Sequence, residues 1–186
     1  MSWKCKLLNL PCFVPDQKVL AIVDAQKDFI DGSMGVGMEK WKKAKAAIID
    51  LMKKEKYDSI VYTKDWHPTN HCSFKDQGGM WPSHCVAGQK GADIDPDLLA
   101  IQIPSVTLNK GCDPNVEEYG IDVLPNVDNV KELHLVGLCF DYCVQSCAKE
   151  TAKTHPNTKI VVKKAGTVAI DENAKIDWEG LNVKVE

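Results

Sequence analysis

The apolar positions along this chain follow two rhythms. Lys18–Phe29 (KVLAIVDAQKDF) and Tyr57–Pro68 (YDSIVYTKDWHP) open as continuous apolar, β-rich runs and close in polar turns, the pattern of strands buried on both faces. SVTLNK (105–110), KELHLVGLC (131–139) and TKIVVKK (158–164) predict three further strands. Between the first two, MEKWKKAKAAIIDLMKKEK sets Trp41, Ala44, Ile48, Leu51 and Met52 at helical spacing. DYCVQSCAKETAKTH (141–155) predicts a second helix, with Asp141 placed to cap its N-terminus. Strands that alternate with helices indicate an α/β fold, a three-layer α/β/α arrangement around a mostly parallel sheet. Residues 64–104 break the rhythm as a long, irregular excursion rich in Gly, Pro and His. Excursions of that length in a compact domain are usually functional or disordered.

No internal repeat, low-complexity tract or linker interrupts the pattern, so one domain is expected over residues 1–186, with 1–17 as an N-terminal leader. Its 44% hydrophobic and 26% charged residues are ordinary for a globular chain of 186 residues, which can bury a core without staples. A net charge of −3 gives no reason to expect nucleic acid or an anionic membrane as a partner. All 23 basic residues are lysine. The guanidinium fork that grips phosphates and carboxylates at two points is therefore missing. Eight cysteines occur without a Cys-x-x-Cys pair, and no run is apolar enough for a secretory signal or a membrane span. Reduced thiols and a cytoplasmic location are the expectation.

Ligands of parallel sheets sit beyond the carboxyl ends of the strands. There the first strand delivers Asp24, the second Asp65 and His67, the third Lys110, and the fourth leads to Cys143. Together they make a kit for a cysteine nucleophile with a carboxylate base and a lysine. Cys143 would need a depressed pKa, and a helix capped by Asp141 would supply one through its dipole. The rival reading is structural: Cys139, Cys143 and Cys147 are spaced by four and suit one buried helix face. Lys110 taken alone reads as a solvated lysine. Asp65-x-His67, with His84 and His71 as further donors, suits zinc, iron or manganese with open positions. The alternative is a His–Pro loop that holds no ion.

Taken in order from about residue 18 to 170, AIVDAQKDF, KDWHPTNHCSF, MWPSHCVAGQKGADIDPDL, LNKGCDP and HLVGLCFDYCV resemble the nicotinamidases of the isochorismatase-like cysteine hydrolase superfamily. The resemblance implies Asp24, Lys110 and Cys143 as a catalytic triad and Asp65, His67 and His84 as metal ligands, with His71 a ligand in some members. It implies Phe29 and Trp81 beside the substrate ring, a cis peptide at Leu138–Cys139, and an oxyanion hole built from the backbone N–H groups of Cys139 and Cys143. The implied activity is metal-dependent hydrolysis of nicotinamide to nicotinate and ammonia through a thioester, in NAD salvage. One divalent ion is implied, zinc first and iron or manganese as alternatives. Pyrazinamide is a second candidate substrate and a homo-oligomer a candidate assembly. The chain departs from the family pattern at Lys27, usually asparagine, at Cys112, usually threonine, and in a shortened segment after Tyr119. Two other readings remain: a superfamily hydrolase acting on a different small amide, and a non-catalytic, thiol-rich metal-binding or redox-sensing protein.

Overall fold

The computed structural model describes residues 17–125 and 129–186. The expected leader therefore lies outside the described residues, except for Gln17, which opens the first strand. In chain order the strands are β1 (Gln17–Val23), β2 (Ser59–Asp65), β3 (Ser105–Lys110), β4 (Val130–Leu138), β5 (Lys159–Val168) and β6 (Val183–Val185). The helices are α1 (Lys27–Ile30), α2 (Met38–Lys54), α3 (Pro96–Leu99) and α4 (Gln145–Thr154), the last preceded by a π-helical turn, Phe140–Val144. All five strand pairings are parallel, in the order β3-β2-β1-β4-β5-β6. The five strands expected from sequence are present, and β6 is an addition. Its three residues, half-buried or exposed, carry too short a pattern to read.

Both faces of the sheet are covered because the central strands carry continuous apolar runs, 19–23 in β1 and 135–138 in β4, interrupted only by Gly137. Val19, Ala21 and Val23 of β1 join Leu133, Leu135, Val144, Cys147 and Ala148 in one core. The intervening Leu20 and Ile22 join Trp41, Ile48, Ile60, Tyr62 and Val136 in the other, beneath α2. Leu51, expected on the buried face of α2, is only half-buried, while Trp41, Ala44, Ile48 and Met52 are inside. β3 lies at an edge and is inward-facing only at alternate positions, so Val106 and Leu108 pack on the first core. Among the described residues no helix is long and apolar enough to cross a membrane.

Strand order reverses between β1 and β4, which is where α/β sheets open a crevice at their carboxyl edge. Gly137 makes the approach of these two strands possible. It sits at φ 113°, and an added Cβ would meet the Val23 carbonyl oxygen at 2.0 Å. Gly137→Ala should therefore force β1 and β4 apart just before Asp24. The expected loss is roughly 1–3 kcal/mol, a fall of about 3–10 °C in thermal midpoint. An unchanged midpoint in a melting experiment would show that the strands can absorb the methyl group.

Candidate active site

Asp24 follows directly on β1 with φ 46°, a conformation that side-chain-bearing residues seldom adopt. Thr63 of β2 holds it: the Asp24 N–H donates to the Thr63 carbonyl at 3.1 Å, and the Thr63 hydroxyl donates to Asp24 Oδ1 at 2.7 Å. Lys110 ends β3 in register with Asp65, which ends β2. Its ammonium reaches Asp24 Oδ2 at 2.8 Å, makes a closer ion pair with Asp65 Oδ1, and lies 3.5 Å from Cys143 Sγ. The four groups come from three strand ends and the turn after a fourth, and each is at most 5% exposed.

The electrostatics follow from that burial. Burial alone would drive the proton off Lys110, but Asp24 and Asp65 hold its pKa well above the usual lysine range. Burial raises Asp24, with Lys110 opposing and Asp65 adding to the rise. Asp65 goes the other way: against its burial, Lys110 and then His67 hold its carboxyl well below the usual range. At Cys143 burial is the largest influence and outweighs Lys110, so the thiol is pushed well above its ordinary value. The expected depressed pKa is thereby corrected. So is the expected cap. Cys139, not Asp141, precedes the helical turn, with no side-chain cap. Asp141 lies inside the turn, where its carboxylate accepts from the N–H groups of Ile170 and Asp171 at 2.9 and 2.8 Å, tying the turn to the chain beyond β5.

Asp65 also belongs to a second cluster. One donor atom each from Asp65, His67 and His84 lie within 4.8 Å of one another, and all three residues are buried. His67 Nδ1 is 2.9 Å from the Gly111 carbonyl and His84 Nδ1 is 2.7 Å from the Pro82 carbonyl. Each carbonyl accepts a hydrogen bond from Nδ1–H, which leaves Nε2 as the ring nitrogen that can bind an ion. Burial lowers the His84 pKa and favours that neutral form. The donor set thus fits a divalent metal. Gly111 adds to the fit: at φ 62°, it has His67 Cε1 2.3 Å from where a Cβ would stand, so the imidazole rests on bare backbone. His71 stacks on His67 with ring centroids 4.1 Å apart, but its Nδ1 pairs with Ser73 at 2.7 Å and its Nε2 with the Val116 carbonyl at 3.1 Å. It stands outside the donor trio.

Phe29 is buried with its ring 5.5 Å from that of His84, and Trp81 lines the cavity over the histidines. The Leu138–Cys139 peptide is cis, as the resemblance implies, and the Cys139 carbonyl accepts from Tyr142 and Val144. Four participants escaped the sequence reading. Thr63 fixes Asp24. Gln26, fully buried, donates to the Asp65 and Ala92 carbonyls at 2.8 and 3.0 Å and accepts from the Asp65 N–H at 2.8 Å. Tyr119 accepts from Trp81 Nε1 at 2.9 Å, and Tyr142 packs edge-on to Trp81. Only Gln26 carried a signal, a polar amide three residues past an apolar strand end.

The isochorismatase domain family matches residues 18–174. The chain is similar to the nicotinamidase/pyrazinamidase of Mycobacterium tuberculosis, with 31% identity over 83% of this chain and 89% of that one. It is also similar to the Escherichia coli nicotinamidase, at 29% identity over 69% and 73% of the two chains. Among solved structures, PnC1 from L. infantum in complex with nicotinate superposes with a TM-score of 0.75 at 28% identity, covering 84% of this chain and 83% of that one. The pyrazinamidase of Pyrococcus horikoshii in complex with zinc gives a TM-score of 0.67 at 28% identity over 84% and 88%. With the family match spanning most of the chain, and the same six-stranded α/β frame carrying its site, this protein belongs to the isochorismatase family.

Proposed function

We propose that this amidohydrolase converts nicotinamide to nicotinate and ammonia, with Cys143 as nucleophile, Asp24 as proton carrier and Lys110 as the cation that organises them. The observation that carries the reading is the single buried ammonium within 2.8 Å of Asp24 Oδ2 and 3.5 Å of Cys143 Sγ, next to an Asp–His–His donor set. The nicotinamidases to which the chain is similar give the substrate.

Cys143 and Asp24 are both raised by burial, so the pair favours holding a proton to losing it. Asp24 takes the thiol proton as sulfur attacks the carboxamide carbon, and the C–N bond breaks as Asp24 returns that proton to the departing ammonia. Water then adds to the thioester, Asp24 accepts its proton, and nicotinate leaves with the thiol restored. Backbone N–H groups of Cys139 and Cys143 are the proposed oxyanion donors, each typically worth about 3 kcal/mol in such sites. Phe29 and Trp81 would flank the ring and turn the attack into a near-intramolecular event. Asp65, His67 and His84 would hold a divalent ion, zinc first, which supplies a Lewis-acid contact for the ring nitrogen. The reaction would serve NAD salvage in the cytoplasm.

Ammonia release from nicotinamide should be lost on chelation and restored by zinc, manganese or iron. Release by chelated, metal-free protein would remove metal dependence, and no release with any metal would remove the substrate. Cys143→Ala should abolish release while circular dichroism and metal content stay as in the wild type; retained turnover would exclude Cys143 as nucleophile. Lys110→Met leaves two buried carboxylates facing each other and should cost roughly 3–5 kcal/mol of stability at neutral pH. Without the ammonium the folded-state Asp24 pKa rises further. The deficit should therefore shrink near pH 4–5, where the carboxyl is protonated, and grow as pH rises. Denaturant titrations across pH showing a constant deficit would contradict the ion-pair assignment.

A further inference from the structure

The segment that follows Lys110 crosses the donor trio as a strap, and four contacts fasten it. The Pro114 carbonyl accepts from Cys72 N–H at 2.8 Å, the Val116 carbonyl pairs with His71 Nε2 at 3.1 Å, Glu118 Oε2 accepts from Gly111 N–H at 2.9 Å, and Tyr119 accepts from Trp81 at 2.9 Å. Tyr119 is further hydrogen-bonded to Glu117, and burial first, then that carboxylate, pushes its phenol up to about 12. The cavity thus has buried Asp65, His67 and His84 within, and Glu117, exposed, and Glu118, half-buried, on the solvent side.

We infer that Glu117 and Glu118 act as an electrostatic filter at the mouth of this cavity, admitting an uncharged pyridine carboxamide and disfavouring the carboxylate it becomes. The inference rests on the nicotinamide reading above. Substrate and product differ little in shape; they differ by one negative charge, so shape alone discriminates weakly between them. Apart from the divalent ion proposed for the ring nitrogen, no cationic group described at the site is free to pair with the product's carboxylate. Lys110 is already shared between Asp24 and Asp65, and the chain has no arginine to clamp a carboxylate. Like charges set against an unwanted ligand are a recognised route to specificity. Here they would speed departure of nicotinate and limit inhibition by it.

The test is calorimetric titration of zinc-loaded, full-length Cys143→Ala protein with nicotinamide and, separately, nicotinate, with and without Glu117→Gln. The Gln amide keeps an acceptor for Tyr119 while removing the charge. In low salt, Glu117→Gln should raise nicotinate affinity relative to nicotinamide by about 3- to 10-fold. Glu117→Asp should leave the ratio near its original value. The gain should largely vanish at about 0.5 M salt, where exposed charges are screened. If both ligands bind but the ratio is unmoved in Glu117→Gln and again in Glu118→Gln, the filter is excluded and the nicotinamide reading stands. If the Cys143→Ala protein binds neither ligand, the nicotinamide reading falls and the filter falls with it.

Discussion

The site depends on one buried ammonium. Lys110 is 1% exposed and stands between the carboxylates of Asp24 and Asp65, so three charges that would each be costly alone in the interior become mutually tolerable. Remove the cation and two carboxylates from adjacent strands would face each other without water. Remove either acid and the lysine would lose part of what holds its pKa up against burial. The parallel register that sets Lys110 beside Asp65 is therefore an electrostatic requirement as well as a hydrogen-bonding one. The same ammonium lies 3.5 Å from the Cys143 sulfur, so the group that makes burial of the acids possible also provides the attraction a developing thiolate would need.

Asp65 connects the two halves of the site. One of its oxygens pairs with Lys110 and the other lies 3.5 Å from His67 Nε2. Lys110 keeps it ionised despite burial, which is the state a metal-binding carboxylate requires. Its backbone is held in turn by Gln26, whose amide bonds both the N–H and the carbonyl of Asp65. The proposed nucleophilic centre and the proposed ion site are thus joined through one residue, Asp65 at the end of β2.

The thiol shows how such a centre differs from one activated in advance. Burial keeps the proton on Cys143, and the carboxylate raised by the same burial lies within 4.8 Å to receive it. The turn carrying the thiol is anchored by Asp141 to the backbone of Ile170 and Asp171, so its position does not rely on a helix cap. Over this base lies the 114–119 strap, fastened by the N–H groups of Cys72 and Gly111 and by the His71 and Trp81 side chains.

Apolar periodicity and chain order were enough to determine five of the six strands described, the parallel frame and the convergence of Asp24, Asp65, His67, Lys110 and Cys143 on one edge. Hydrophobic alternation reports which faces are buried, and a parallel α/β sheet has only one edge where strand ends can share a ligand. The motifs added His84, Phe29 and Trp81 by resemblance. Tertiary structure decided the rest. Asp141 reads as an N-cap because capping is a local preference, yet its carboxylate serves two N–H groups some thirty residues on. Thr63, Tyr119 and the exclusion of His71 from the donor trio depend on partners distant in sequence. The direction of the Cys143 shift was equally out of reach, because it is the balance of desolvation against Lys110, and burial depth exists only once the layers have closed over the site.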